Sequence, residues 1–555
     1  MFDFFKSQAW SLDGLTPPWS NDVSIYIYIR DNPKTTELPD TPRPRKPNEL
    51  TWSSGALDGV FGHHLASAKP EEMSRRVQKL LSALKRLLRE ATDENLKSLY
   101  DVVLEESILP IADAFQSELS KNVPSHEAKV AQIGRYFAAG ADRREATKFG
   151  ILLLEVSGNR TDSSLLETLA LNDEFTLFAA LALAHVTDDP ARALWGIAKR
   201  VHGWGRIQVV ERLNGTRNLE IQGWMLREGF RNEVMDGYLA GICARTGNLH
   251  LELDSSDIDQ RLLEGAAGII RALLEGGPAD SIDDYEHAPE AIQRYVGHIL
   301  KVNNLNLEHF LCVSEILEFL SNDEGWESRL SKGWTGELRG QIRDQCREIV
   351  NRDVWRKKVA VGLKSEDPMI FDEADIAAAK LKIDTRDLHF ARVRSAPITS
   401  GSWYRLLQQT DETQIDEIMD FASSVLPLEK IATGPADHLG LGPGYEAHAS
   451  LDWLLQDLKR FPGRGWQLIK TGLRSPVVRN RNMALQAFLA WPRDRWPLTP
   501  MRPVPLAQSL RSSQNRKVRL SIMDFRCWKM SLWKALLSER LRTSRRSLAK
   551  REMHS

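Results

Sequence analysis

Cysteine is scarce: Cys243, Cys312, Cys346 and Cys527 are the chain's four, they stand far apart, and no C-x-x-C pair occurs. Disulfide frameworks and zinc knuckles both need closely spaced cysteines, so neither is expected, and a reducing, cytoplasmic setting fits. Long apolar runs are missing too. The longest candidate, Phe175 to Val186, falls short of the ~20 residues a bilayer-spanning helix needs, so no transmembrane segment is expected. The opening MFDFFKSQAW carries an acid at position 3 and no apolar core, unlike a secretory leader. Nor does one sign of charge dominate: 74 Lys and Arg stand against 75 Asp and Glu. Such a balance gives no general attraction to nucleic acid, and no nucleic-acid partner is expected. It does conceal an asymmetry. Residues 497–555 hold 14 Lys and Arg against 3 Asp and Glu, leaving 60 against 72 in the first 496.

Motifs that carry chemistry are as sparse. There is no G-x-G-x-x-G, no Walker A loop, no G-x-S-x-G elbow, no Tyr-x-x-x-Lys pair, and no cysteine in a haem-thiolate or catalytic setting. A di-iron bundle needs Glu-x-x-His, and none of the 13 histidines has Glu three residues before it. Asp284-x-x-His287 is the near miss, and it falls in an acidic, Pro-flanked loop. Glu446-x-His448 sits in a Gly/Pro loop without a converging third ligand, a poor metal site. The adjacent His63-His64 pair reads as solvated loop, and His185 as a C-terminal helix residue. No haem, flavin or metal signature emerges.

What the chain does contain is helical grammar. At 555 residues it exceeds one ordinary core. Residues 1–70 read as an N-terminal piece: a strand at Val23 to Arg30 (VSIYIYIR), a linker with five prolines from Pro33 to Pro47, and a Gly-rich loop from Trp52 to His64. That loop's G-x-x-x-G-x-x-G spacing points to a turn rather than a phosphate loop. Residues 71–125 form a helical hairpin or small bundle, with leucines at 80, 81, 84, 87 and 88.

Helices then recur through 126–330, at Arg143 to Val156, Ser163 to Ala170, Glu174 to Val186, Ala191 to Val201, Arg206 to Leu213 and Leu219 to Arg227. Successive first helices start about 30 residues apart, and each unit is too small to bury its own apolar face. The expected fold is therefore mostly α: an α-solenoid of HEAT- or armadillo-like helical pairs with a small N-terminal strand-containing segment. Residues 331–496 are an irregular helical region ending in a HEAT-like unit, Gly465 to Trp491. The basic tail, 497–555, reads as unpatterned and disordered.

One stretch, His202 to Leu249, combines Gly breaks, two tryptophans and an Arg/Glu-rich face. It supplies the candidate ligand face: His202, Trp204, Arg206, Trp224, Arg227 and Glu228. Tryptophan between stacked helices is ordinarily packing, so Trp204 and Trp224 are expected to fill gaps. Arg206, Arg227 and Glu228 are expected to face a ligand on a concave surface.

The residues His202-Gly-Trp-Gly-Arg-Ile, Glu211-Arg-Leu213, Trp224-Met-Leu-Arg-Glu-Gly229, Tyr238-Leu-Ala240 and Ala244-Arg-Thr-Gly247 resemble those of bacterial proteins named limonene hydroxylases. The likeness runs from about Trp52 to about Trp491. It implies hydroxylation of limonene, an apolar monoterpene, to carveol and perillyl alcohol, and their dehydrogenation to carvone and perillyl aldehyde with NAD(P)H. It identifies no catalytic or cofactor-binding residues. Read from the residues alone, the alternative is a non-enzymatic HEAT-like scaffold that binds a protein partner.

Overall fold

The computed structural model describes residues 10–19, 23–40, 54–64, 70–122, 126–277, 279–398 and 401–496. The basic tail, Cys527 and the second half of the proline-rich stretch lie outside them. Among the described residues there are 28 α-helices, several 3-10 turns, one π-helical turn and no strand. A single β-bridge joins His438 to Val477. No described helix is long and apolar enough to cross a membrane.

The strand expected at Val23 to Arg30 is instead a helix, α1 (Ile25–Asp31). Its period is four, not two: Ile25 and Ile29 are buried while Ile27 is exposed. Ser24 starts it, accepting from Ile27 N at 3.3 Å and donating to Ala139 O at 2.5 Å. The segment alternates isoleucine and tyrosine, both able to bury, so its pattern fitted either geometry. Tertiary packing on the repeat helices decided between them. The Gly-rich stretch is not a turn either; from Ala56 to His64 it forms α2. Its glycine at 59 allows contact: a Cβ there would overlap the ring of Trp204.

Helix α3 (Pro70–Arg89) packs on both α4 (Asp93–Leu104) and α5 (Ala112–Asn122). Hairpin pairs follow: α6 (Glu127–Gly140) with α7 (Arg144–Ser157), α8 (Ser163–Leu169) with α9 (Asp173–Val186), and α10 (Pro190–Ala198) with α11 (Trp204–Glu211). Next come α12 (Leu219–Trp224), which passes into the π turn Met225–Gly229, and α13 (Gly237–Thr246), α14 (Leu249–Glu252), α15 (Gln260–Glu275), α16 (Ala288–Lys301) and α17 (Leu307–Ser321). Helices α7, α9, α11, α13, α15 and α17 stack each on the next. The first four begin at Arg144, Asp173, Trp204 and Gly237, which is the roughly 30-residue period of a solenoid-like array.

The array continues through α18 (Trp326–Leu330), α19 (Gly336–Val350), α20 (Val354–Gly362) and α21 (Pro368–Lys380). One apolar core runs from Leu12 to Ala378, and a second from Phe390 to Trp491. The second is built by α22 (Arg386–Ser395), α23 (Ser402–Gln408), α24 (Ile415–Val425), α25 (Leu428–Ile431), α26 (Glu446–Asp457), α27 (Trp466–Leu473) and α28 (Val478–Ala490). A polar knot bridges the two. Asp375 of α21 accepts from His389 Nε2 at 2.8 Å and from Arg405 Nε at 3.1 Å, and Gln409 exchanges two 2.7 Å hydrogen bonds with Thr385. The stretch Gly465 to Trp491 forms the packed helical hairpin α27/α28. There the buried Arg481 donates to the carbonyls of Ala436, Ser475 and Pro476, holding two loops together.

Candidate functional site

The π turn Met225–Gly229 lies inside the stretch the sequence singled out, and π insertions recur at functional sites because they re-aim side chains within a helix. Four of the six candidates meet around it. Arg206, on α11, is 8% exposed and donates Nη2 to the carbonyl of Glu228 at 2.7 Å. Its guanidinium sits 5.3 Å from the ring of Trp224. Burial lowers its pKa, with only partial compensation from Cys243 and Asp236. Arg227 pairs with Asp259 at 2.5 Å and donates to Gly223 O at 2.9 Å, and Glu228 pairs with Arg261.

The other two point elsewhere. Trp204 is buried against Tyr238, with ring centroids 5.3 Å apart, and against Gly59 of α2. His202 is exposed, and its carbonyl accepts from Glu233 N at 2.7 Å. Trp204 thus packs as expected. Arg206 does not face outward; it is turned under the π turn, because a guanidinium can satisfy a helix carbonyl that the i→i+5 insertion exposes.

Residues the sequence did not single out extend the site. Trp195 meets Trp224 edge to face at 6.4 Å, and Lys199 Nζ, from the residue that caps the C-terminus of α10, stands 3.7 Å over the Trp195 ring. Lys199, Trp195, Trp224 and Arg206 therefore form a ladder in which two tryptophans, in contact with each other, lie between two cations. Within it, Trp195 Nε1, Trp224 Nε1 and Arg206 Nε are buried without hydrogen-bond acceptors. Buried donors are ordinarily paired, so three together mark a ridge that lacks acceptors. The spacing Trp195–x–x–x–Lys199 was the available signal, since i,i+4 residues share a helix face.

A second cluster also escaped the sequence. Lys148, 1% exposed on α7, bonds to Asp58 of α2 at 2.6 Å and Glu174 of α9 at 2.7 Å, with Glu145 at 3.4 Å. Arg144 joins Glu174 at 3.3 Å to Asp40 at 3.2 Å. Four carboxylates share two cations. Burial pushes Asp58 up to about 6 despite Lys148 beside it. Glu174 is drawn below its ordinary value, because the attraction of Lys148 and Arg144 outweighs its burial. With the carboxylates around it, Lys148 is held above its ordinary value, so it is a permanent cation and not a nucleophile. The cluster ties the N-terminal piece to the stack. Its sequence signal was a lysine within an apolar helix, TKFGILLLEV.

The remaining candidates do not converge. His448 Nδ1 faces Ser475 at 3.2 Å and Asn480 at 3.0 Å, while Glu446 accepts from Gly444 N. Asp284 caps Ser281, and His287 stacks on His250 at 3.7 Å. His185 Nδ1 lies 3.1 Å from Leu181 O, in the last turn of α9. The side chains of His63 and His64 lie outside the described residues. Among the described residues no group of three His, Cys, Asp or Glu side chains has metal-binding geometry. Burial pushes the thiols of Cys243 and Cys312 up, and that of Cys346 up to about 12, so all three stay protonated at neutral pH. No protein-family model, curated protein or solved structure matches this chain.

Proposed function

We propose that this chain is a helical-repeat scaffold that binds a protein partner across the ridge of Lys199, Trp195, Trp224 and Arg206 at the π turn. One observation carries the reading: three buried N–H donors without acceptors lie beside aromatic faces and an exposed lysine. A partner carboxylate would meet the exposed Lys199, and tryptophan and arginine are the residue types that dominate interface energies. Leu219, 80% exposed at the start of α12, gives the same helix an apolar edge. The test is a photo-crosslinking residue placed at Leu219 in the full chain. A discrete protein adduct that disappears with Arg206→Ala or Trp224→Ala, both folded by circular dichroism, supports the reading. No adduct above that from an exposed site on α20, Val361, contradicts it.

The limonene hydroxylase resemblance favours a second reading, oxidation of an apolar monoterpene with NAD(P)H. Oxygen insertion takes its chemistry from a bound cofactor, and the protein supplies an apolar, shaped pocket. Purified protein that consumes NAD(P)H only when limonene is added, with carveol or perillyl alcohol formed, favours this reading over the scaffold.

A further inference from the structure

We propose that α2 is a displaceable plug in a helix-binding groove formed by α7, α9 and α11. The groove's other occupant is a helix of a partner protein with the same pattern, small-small-x-Asp-small, which Gly55, Ala56, Asp58 and Gly59 carry here. α2 sits as a bound helical peptide sits in its receptor. Its backbone makes the closest approach at Gly55 and Gly59, where a Cβ would overlap Asp173 O and the ring of Trp204 respectively. Gly55 N donates to Glu174 Oε2 at 3.1 Å, and Asp58 reaches the buried Lys148 at 2.6 Å. Leu57, between them, is exposed. Two glycines and one carboxylate therefore read the groove.

The groove stays complete when α2 leaves. Lys148 keeps Glu174 at 2.7 Å and Glu145 at 3.4 Å, and Arg144 keeps Asp40 and Glu174, so no cation is orphaned. Burial raises the Asp58 carboxyl to about 6 even beside Lys148. Its ion pair therefore sets register more than affinity, which suits a contact that exchanges. The N-terminal piece is fastened ahead of α2 by its own contacts. Ser24 donates to Ala139 O, Asn172 Nδ2 donates to Thr35 O at 3.0 Å, and Arg144 holds Asp40. Release of α2 uncovers the face of Trp204, only 8% exposed while the groove is filled. A tryptophan in a groove is the kind of side chain that anchors a partner helix.

The groove shares α11 with the tryptophan ridge but none of its side chains, so it stands or falls independently of the scaffold reading. Native-state hydrogen exchange on the full chain should show the amides of residues 56–60 exchanging through a local opening, while those of α7 and α9 stay protected. A fluorescein-labelled peptide of residues 54–64 is then titrated, by anisotropy, into wild type and into Gly59→Leu, whose added side chain cannot seat against Trp204. It should bind the Gly59→Leu chain saturably and wild type about ten-fold or more weakly, because resident α2 leaves only a fraction of wild-type grooves open. The same peptide carrying Gly59→Leu should bind the opened chain about ten-fold or more weakly, the scale of a clash against a packed ring. Amides of α2 protected as long as those of α7, or a Gly59→Leu chain that is unfolded by circular dichroism, overturns the proposal. So does a folded Gly59→Leu chain that binds no peptide, binds both peptides equally, or binds no better than wild type.

Discussion

Lys148 is where a single side chain decides most. Removing it leaves Asp58, Glu145 and Glu174 facing one another in a dry site, so Lys148→Met should cost about 3–5 kcal/mol, the usual loss when one partner of a buried pair is deleted. Asp58→Asn should cost a third of that or less. Burial already holds the Asp58 carboxyl near protonation, and the cluster has more carboxylates than cations. Denaturant midpoints of the two variants measure the asymmetry; equal losses would mean that Asp58, not the lysine, anchors α2. His309 makes a separate statement about pH. It is fully buried, Tyr295 Oη lies 3.0 Å from its Nδ1, and burial pushes its pKa down to about 4. The unfolded imidazole takes its proton near 6.5, so between those values the unfolded state binds more protons and stability falls as pH falls. From pH 7 to 5 this contribution is up to about 2 kcal/mol. His309→Leu should therefore lose less stability than wild type over that range. Asp452 carries the opposite sign. Burial raises it to about 6, so its folded form takes up a proton first, and Asp452→Asn should lose more than wild type on acidification.

At the scale of elements, close approach of backbones sets the stack. Gly150 of α7 lies against α6, where a Cβ would overlap Ala138 N and stand 2.8 Å from Gly134 O. Alanine gains about 1 kcal/mol of helix propensity, but overpacking against rigid backbone costs about 1–3 kcal/mol. Gly150→Ala should thus be destabilising, and a raised melting temperature would show that α6 and α7 can separate without penalty. Element identity was legible wherever the apolar period was unambiguous. Each repeat helix read from Arg143 to Arg227 falls within three residues of an observed one, the last turn of the Leu219 helix being the π insertion. Legibility failed at α1 and α2. Isoleucine and tyrosine alternate in the first, and glycines mimic a loop in the second; in both, contacts with residues more than a hundred positions away settled the geometry. The candidate site was half legible. Tryptophan and arginine marked the neighbourhood, but whether Arg206 pointed out or under a helix depended on the π turn, which no local pattern announces.

Among the described residues two apolar cores meet at the knot of Asp375, His389 and Arg405. Truncating Asp375 to alanine leaves a buried imidazole and a guanidinium without their acceptor, so the two cores should unfold in separate calorimetric transitions instead of together. A single transition merely shifted downward would mean that apolar contact alone couples them. Along the larger core the array offers the ridge at Trp195 and Trp224, and the central claim is that this ridge is a binding face. Photo-crosslinking from Leu219 tests it most directly. A binding face there gives one discrete protein adduct, lost in folded Arg206→Ala and Trp224→Ala variants. An adduct yield no higher than from Val361, or one unchanged by those substitutions, would contradict it.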